Sequence, residues 1–98
     1  MRIISRKRLI DYYQVHPDAE TALEVWHKKT AAAKWRGFSD LKKTFSSADY
    51  VGNDRVVFNI KGNKYRLVAI VLYKSSTVYI RFVGTHGAYD RIKDIKEI

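Results

Sequence analysis

The segment of this sequence best equipped for proton transfer is Gly84-Thr85-His86-Gly87-Ala88-Tyr89-Asp90-Arg91. If Thr85 caps a helix, His86, Tyr89 and Asp90 fall at i, i+3 and i+4 on one face. Histidine takes and gives a proton near neutral pH. A carboxylate one turn away can orient its ring and raise its basicity. Tyrosine can serve as acid or base where cations lower its pKa. The two glycines let a polymer backbone come close. Upstream lie Arg66 and Arg81, which can stabilise anionic charge. RNA cleavage by its own 2′-hydroxyl needs this kit and no metal. A base takes the hydroxyl proton, cations stabilise the crowded phosphorane, and an acid protonates the leaving 5′-oxygen. His86 or Tyr89 fits either proton role. A plainer reading makes His86 a capping or surface histidine.

The other two histidines offer less. His16 precedes Pro17 and belongs to a turn, and His27 is expected on the exposed side of a helix. The three histidines have no metal-ligand spacing, and acidic clusters are missing, so no metal site or cofactor is expected. Trp26 and Trp35 read as packing residues. No glycine-rich phosphate loop and no nucleophile elbow is present.

The residues that must position His86 show two periodicities. Ser5 is expected to cap a helix over 6–14, with Leu9, Ile10 and Tyr13 on one face. Pro17 breaks it. Asp18 is expected to cap a second helix running to about Lys34, with a stripe of Ala22, Leu23, Trp26, Thr30 and Ala33. Ser39 should cap a short helical turn over 40–45. From Tyr50 the period changes to 2. Segments 55–61, 64–73 and 77–84 read as three strands joined by a Gly62-Asn63 turn and a turn at 74–77. Met1–Ile4 is a candidate edge strand, and 86–98 a short helix or tail.

Turn lengths set the faces. The first turn pairs Ile60 with Tyr65 and Phe58 with Leu67. Pairing Tyr73 with Val78 places Val71 opposite Ile80 and Ala69 opposite Phe82. One uncharged face then holds Val56, Phe58, Ile60, Tyr65, Leu67, Ala69, Val71, Val78, Ile80 and Phe82, and the N-terminal helices should cover it. The other holds Arg55, Asn59, Lys61, Lys64, Arg66, Tyr79 and Arg81, interleaved with Val57, Val68, Ile70, Leu72 and Val83. Arg81 should sit beside Ile70. Cations flanked by apolar side chains are partly desolvated and bind phosphate more strongly than hydrated ones. An ordinary sheet with one wet face explains the alternation but not the interleaved apolar residues, which suggest a partner.

Composition agrees with a polyanion partner. The net charge is +9, and no acidic residue occurs between Asp54 and Asp90. Such a field captures nucleic acid. Cysteine is absent, which excludes disulfides and thiolate metal sites. A chain of 98 residues is expected to form one domain, buries only about 60–65% of its unfolded surface, and must work on an open face. No apolar run is long enough for a membrane helix. The N-terminus is too polar after Ile4 for a signal peptide, so a cytoplasmic location is expected.

The run Val51-Gly52-Asn53-Asp54-Arg55-Val56-Val57-Phe58-Asn59-Ile60-Lys61-Gly62-Asn63-Lys64-Tyr65-Arg66-Leu67-Val68 resembles the HigB toxins of the RelE/ParE superfamily. So does Val78-Tyr79-Ile80-Arg81-Phe82-Val83-Gly84-Thr85-His86-Gly87-Ala88-Tyr89-Asp90. Ile4-Ser5-Arg6 and His16-Pro17 match as well, so the resemblance spans nearly the whole chain. It implies an α+β, RelE-like fold, with an N-terminal helical hairpin on a small antiparallel sheet in the order β-α-α-β-β-β and a possible short C-terminal helix. It implies a type II toxin–antitoxin toxin that cleaves mRNA in the ribosomal A site, on the small subunit, without metal. It implies a HigA-like helix-turn-helix antitoxin, through whose complex alone operator DNA would be met, and no membrane partner. The residues expected to work are Arg66, Arg81, His86 and Tyr89, supported by Asp90. RNA contacts are expected from Arg55, Asn59, Lys61, Lys64, Tyr79 and Arg91. A non-catalytic gyrase inhibitor of the ParE type shares this fold, and a plain nucleic-acid-binding module shares the charge.

Overall fold

The computed structural model describes residues 1–98. Its elements are β1 (Arg2–Ile4), α1 (Lys7–Val15), a 3₁₀ turn (Pro17–Ala19), α2 (Glu20–Ala32), α3 (Phe38–Thr44), β2 (Asp49–Gly52), β3 (Arg55–Ile60), β4 (Tyr65–Leu72), β5 (Thr77–Thr85) and α4 (His86–Asp90). The strands form one sheet in the order β1-β5-β4-β3-β2. The expected antiparallel meander is its centre. β1 adds a parallel edge against β5, through Arg2–Thr77, Ile3–Val78 and Ile4–Tyr79. β2 adds an antiparallel edge that strand alternation does not indicate. Gly52, Asn53 and Asp54 all have positive φ (103°, 48° and 64°) and turn the chain from β2 into β3.

The apolar stripe of α2 is buried as its spacing requires, at Leu23, Trp26 and Thr30. With Leu9 of α1 and Leu41 of α3 it packs on Val56, Phe58, Ile60, Tyr65, Leu67, Ala69, Val71, Val78 and Ile80 of the sheet. Aromatic edges join the layers. Phe58 meets Trp26 at 5.4 Å and Phe45 at 5.2 Å between ring centroids, both edge-to-face. Each such pair adds about 0.5–1.5 kcal/mol beyond area burial.

Helix starts differ from expectation. Ser5 has φ 73° and makes no side-chain cap, and α1 begins two residues later. Asp18 lies inside the 3₁₀ turn, and α2 begins beyond it without a side-chain cap. The Asp18 carboxylate is drawn instead to the β3–β4 loop. It accepts hydrogen bonds from the Tyr65 hydroxyl at 2.6 Å, from Lys64 Nζ and from Lys61 Nζ. The Lys64 and Tyr65 hydrogen bonds hold its carboxyl well below the ordinary carboxylate range. Asp18 in turn raises the Lys64 ammonium and the Tyr65 hydroxyl above their usual values.

That loop has positive φ at Lys61 and Gly62, where Gly62 and Asn63 were expected. The pairs Ile60–Tyr65 and Phe58–Leu67 are nevertheless those expected. The β4–β5 register departs more. Val71 faces Val78 and Ala69 faces Ile80, but beyond a bulge Val68 faces Phe82 and Leu67 faces Val83. Arg81 is the extra residue. One inserted residue exchanges the faces downstream. Val83 therefore packs against the helix-covered core. Phe82, expected there, lies on the opposite side with Val68 and Val57.

That opposite side is not uniformly wet. Val57 and Val68 are buried but stand outside the main core. The segment after α4 returns towards it. Asn53 Nδ2 donates to the Lys96 carbonyl at 3.0 Å, and Arg55 donates to the Ile98 carbonyl from Nη2 at 2.6 Å and Nε at 3.2 Å. Ile92, Ile95 and Ile98, three residues apart, are half-buried. The chain itself thus accounts for part of the apolar character that suggested a partner.

Candidate active site

The site forms where β5 runs into α4. Thr85 ends the strand with extended backbone, and its hydroxyl accepts a hydrogen bond from the Ala88 amide at 3.1 Å. This cap starts one helical turn, which gathers His86, Tyr89 and Asp90 on one face as their spacing predicts. The His86 amide donates to the Lys64 carbonyl at 3.2 Å and ties the turn to β4.

Arg66, near the start of β4, meets this face. Its Nη2 lies 3.0 Å from His86 Nε2. Its Cζ stands 4.7 Å from the centroid of the Tyr89 ring, a cation–π contact. On the far side of His86, Nδ1 is 3.0 Å from Asp90 Oδ2. Arginine can only donate, so His86 Nε2 accepts and the ring proton sits on Nδ1, facing Asp90. Nε2 is thereby turned to the Arg66 guanidinium. The His86 side chain is 39% exposed and Asp90 58%, so the pair opens to solvent.

Beneath Tyr89 lies a contact that periodicity did not indicate. The Phe82 ring approaches Tyr89 at 6.4 Å between centroids. Phe82 can lie this way because Gly84 has no side chain: a Cβ there would stand 2.6 Å from Phe82 Cζ. The bulge at Arg81 places Phe82 on this side. Arg66, Tyr89 and Phe82 thus form a cluster, the two rings tilted by 57° to one another, with His86 held by Arg66.

The other expected residues divide. Asn59 is directly opposite Arg66 and half-buried. Tyr79, 38% exposed, lies opposite Ile70 and takes the place expected for Arg81. Arg81 itself is exposed and enters no ion pair, and its carbonyl accepts from Arg8 Nη1 at 3.0 Å. No contact joins it to Arg66, His86 or Tyr89. Lys61 and Lys64, expected beside Arg66, both turn to Asp18 at the helical side. Loop residues escape strand alternation, which is why the pattern misplaced them. Arg55 is engaged by the Ile98 carbonyl. Arg91 is exposed just past α4, its Nε reaching the Gly87 carbonyl at 3.4 Å. His27, expected to be exposed, is half-buried, and burial lowers its pKa.

A helical layer on a small mixed sheet, with an arginine, histidine and tyrosine at the end of the last strand, defines a toxin domain of the RelE-like class. The chain belongs to the HigB toxin family, whose model, described as a RelE-like toxic component of a toxin–antitoxin system, matches residues 19–92. It is 36% identical over 93 residues to the mRNA interferase toxin HigB of Escherichia coli K12, covering 92% of this chain and 88% of that protein. The same figures hold for the mRNA interferase HigB of Escherichia coli O157:H7 and of Shigella flexneri. Membership in a toxin–antitoxin family implies an antitoxin partner. No helix is long and apolar enough to cross a membrane.

Proposed function

We propose that this chain is an mRNA interferase that cleaves messages in the ribosomal A site, on the small subunit, with the RNA 2′-hydroxyl as nucleophile. The observation that carries the reading is the line Arg66–His86–Asp90, which sets an imidazole nitrogen beside a guanidinium and a carboxylate behind the ring. The relatives named as mRNA interferases support the activity.

In this reading His86 Nε2 takes the 2′-hydroxyl proton, and Asp90 stabilises the imidazolium that forms. The 2′-oxygen attacks the adjacent phosphorus, and Arg66 stabilises the charge on the phosphorane. In the free protein Arg66 occupies the lone pair of His86. A bound phosphate is a stronger partner for a guanidinium than a neutral ring, so substrate draws Arg66 off and frees the base. Tyr89, positioned by the same cation, protonates the departing 5′-oxygen. The products are a 2′,3′-cyclic phosphate and a 5′-hydroxyl. Asn59, Tyr79, Arg81 and Arg91 supply further RNA contacts in this reading. The antitoxin of the pair is a helix-turn-helix protein in this account.

The test uses purified protein, 5′-labelled mRNA and programmed ribosomes. Discrete cuts that require the ribosome are expected. Equal cutting of naked mRNA, or no cutting with DNA damage in expressing cells, would contradict the reading.

A further inference from the structure

Three consecutive residues, where the chain enters β4, carry the active-site turn. The Lys64 carbonyl accepts from the His86 amide at 3.2 Å, Tyr65 pairs with Thr85, the cap of α4, and Arg66 reaches His86 Nε2. Successive side chains of a strand point to opposite faces. Arg66 therefore faces the site, while Tyr65 points to the helical side, where it is only 2% exposed. A group that fixes Tyr65 on that side also fixes the backbone from which His86 hangs.

Asp18 is that group. Its Oδ1 accepts from the Tyr65 hydroxyl at 2.6 Å, and its Oδ2 accepts from the ammonium groups of Lys64 and Lys61. The Asp18 carbonyl takes a further bond from Lys61 Nζ at 3.2 Å. One carboxylate thus grips both Lys64 and Tyr65, the two residues whose backbones hold His86 and Thr85. Exposed lysine ion pairs alone fix little. The short, charge-assisted bond to a buried ring makes the grip positional. Asp18 is itself held in place. It is the middle residue of the 3₁₀ turn Pro17–Ala19, where the proline ring fixes φ, Ala19 is fully buried, and the Ala19 amide donates to the His16 carbonyl at 3.0 Å. Just before the turn, the Tyr12 and His16 rings stack at 4.2 Å, and both meet the Tyr65 ring edge-on, at 5.7 and 6.1 Å. The Tyr65 ring is therefore held by aromatic edges along its side and by the carboxylate at its tip. No hydrogen bond or ion pair joins Asp18 to Arg66, His86 or Tyr89.

We propose that Asp18 is a positioning residue for RNA cleavage: from the helical side of the sheet, through Lys64 and Tyr65, it sets how His86 stands against Arg66. The proposal rests on the mRNA interferase reading above. Geometry at the reacting atoms is worth much, since a misplacement of about 1 Å costs on the order of 10²-fold in rate. Loss of Asp18 should lower kcat without raising KM, because the side chains on the site face remain and two lysines are released.

The test compares the parent with Asp18→Ala, Asp18→Asn and Tyr65→Phe. Val71→Ala, a buried substitution near the far end of β4, is the control that costs stability alone. The two readouts are cleavage on programmed ribosomes and hydrogen exchange of the His86 amide in the free protein, both below the melting range of every variant. Asp18→Ala is expected to lose about 10–100-fold in kcat at an unraised KM. Its His86 amide should exchange about tenfold faster than that of Val71→Ala. Asp18→Asn keeps an acceptor for the Tyr65 hydroxyl and Tyr65→Phe keeps the ring, so both should fall between parent and Asp18→Ala. If Asp18→Ala does not fold, Tyr65→Phe carries the same two readouts. Unchanged kcat overturns the proposal, and so does an equal loss in Val71→Ala, which would reduce the effect to stability. Tighter ribosome binding at unchanged kcat also overturns it and makes Asp18 a mask for two lysines. A parent that never cuts overturns the function reading. The exchange rates still decide the tether in that case, and a His86 amide that exchanges alike in parent and variants overturns it.

Discussion

His86 Nε2 accepts a hydrogen bond from Arg66 Nη2 at 3.0 Å while Nδ1 faces Asp90 Oδ2 at the same distance. Because arginine only donates, the ring proton falls on Nδ1, and this is why Nε2 is the base in the proposed reaction. His86→Ala should lower kcat by about 10²–10⁴-fold, the range for loss of a general base. Asp90→Leu removes the orienting partner and should cost about 10–100-fold. Asp90→Asn keeps an acceptor for Nδ1 and should cost less than Asp90→Leu. Single-turnover cleavage on programmed ribosomes measures all three. Equal losses for Asn and Leu would show that Asp90 does not act through the ring.

Arg66 and Arg81 should now separate. Arg66 touches both His86 and Tyr89, and a lysine ammonium cannot replace the guanidinium in both contacts at once. Arg66→Lys should therefore lose about 10²-fold in kcat with charge preserved. Arg81 stands at a bulge without an ion pair. Arg81→Ala should weaken ribosome binding and its salt dependence, by about one phosphate contact, while kcat holds. Matching kcat losses for the two variants would place both arginines on the reacting phosphate.

Gly84 is a steric requirement for the site. Gly84→Ala puts a methyl 2.6 Å from Phe82 Cζ and must displace the ring under Tyr89. A loss of about 1–3 kcal/mol in stability is expected, together with reduced cleavage. Gly84→Ala/Phe82→Leu should recover stability but not full activity. Urea unfolding and cleavage assays read the two effects, and a neutral Gly84→Ala would mean the ring has room elsewhere.

Acid stability should report on Asp18. Its carboxyl is held below its ordinary value of 3.8 by Lys64 and Tyr65. A group with a lowered folded pKa gives stability that is present above the unfolded value and is lost as pH falls through the folded one. The protein should thus lose stability from about pH 4 downwards. Asp18→Asn should be less stable at neutral pH and flatter across that acid range. Parallel curves for the two proteins, from thermal melts at stepped pH, would remove Asp18 from the account.

The legible and the hidden parts of this structure have different physical origins. Strand alternation and turn chemistry read the core face nearly residue by residue, because a period of 2 leaves no freedom once a hairpin is placed. The 3.6-residue spacing likewise read the stripe of α2 and the grouping of His86, Tyr89 and Asp90. The bulge at Arg81 was hidden, since an inserted residue carries no composition signal, and it exchanged Phe82 with Val83. Lys61 and Lys64 were misplaced because loop side chains obey no alternation. Edge strand β2 had a signal in Gly52-Asn53-Asp54, three consecutive residues that tolerate positive φ. The return of the C-terminal segment to Asn53 and Arg55 uses backbone carbonyls, which a sequence does not display.

The central claim is that His86 and Arg66 make the RNA its own nucleophile, and the chemistry of the cut end tests it most directly. Primer extension should map discrete breaks in translated messages from expressing cells, absent with His86→Ala. End-group analysis should find a 2′,3′-cyclic phosphate on the upstream fragment and a 5′-hydroxyl on the downstream one. A 5′-phosphate with a free 3′-hydroxyl, or breaks that persist with His86→Ala, would contradict the account.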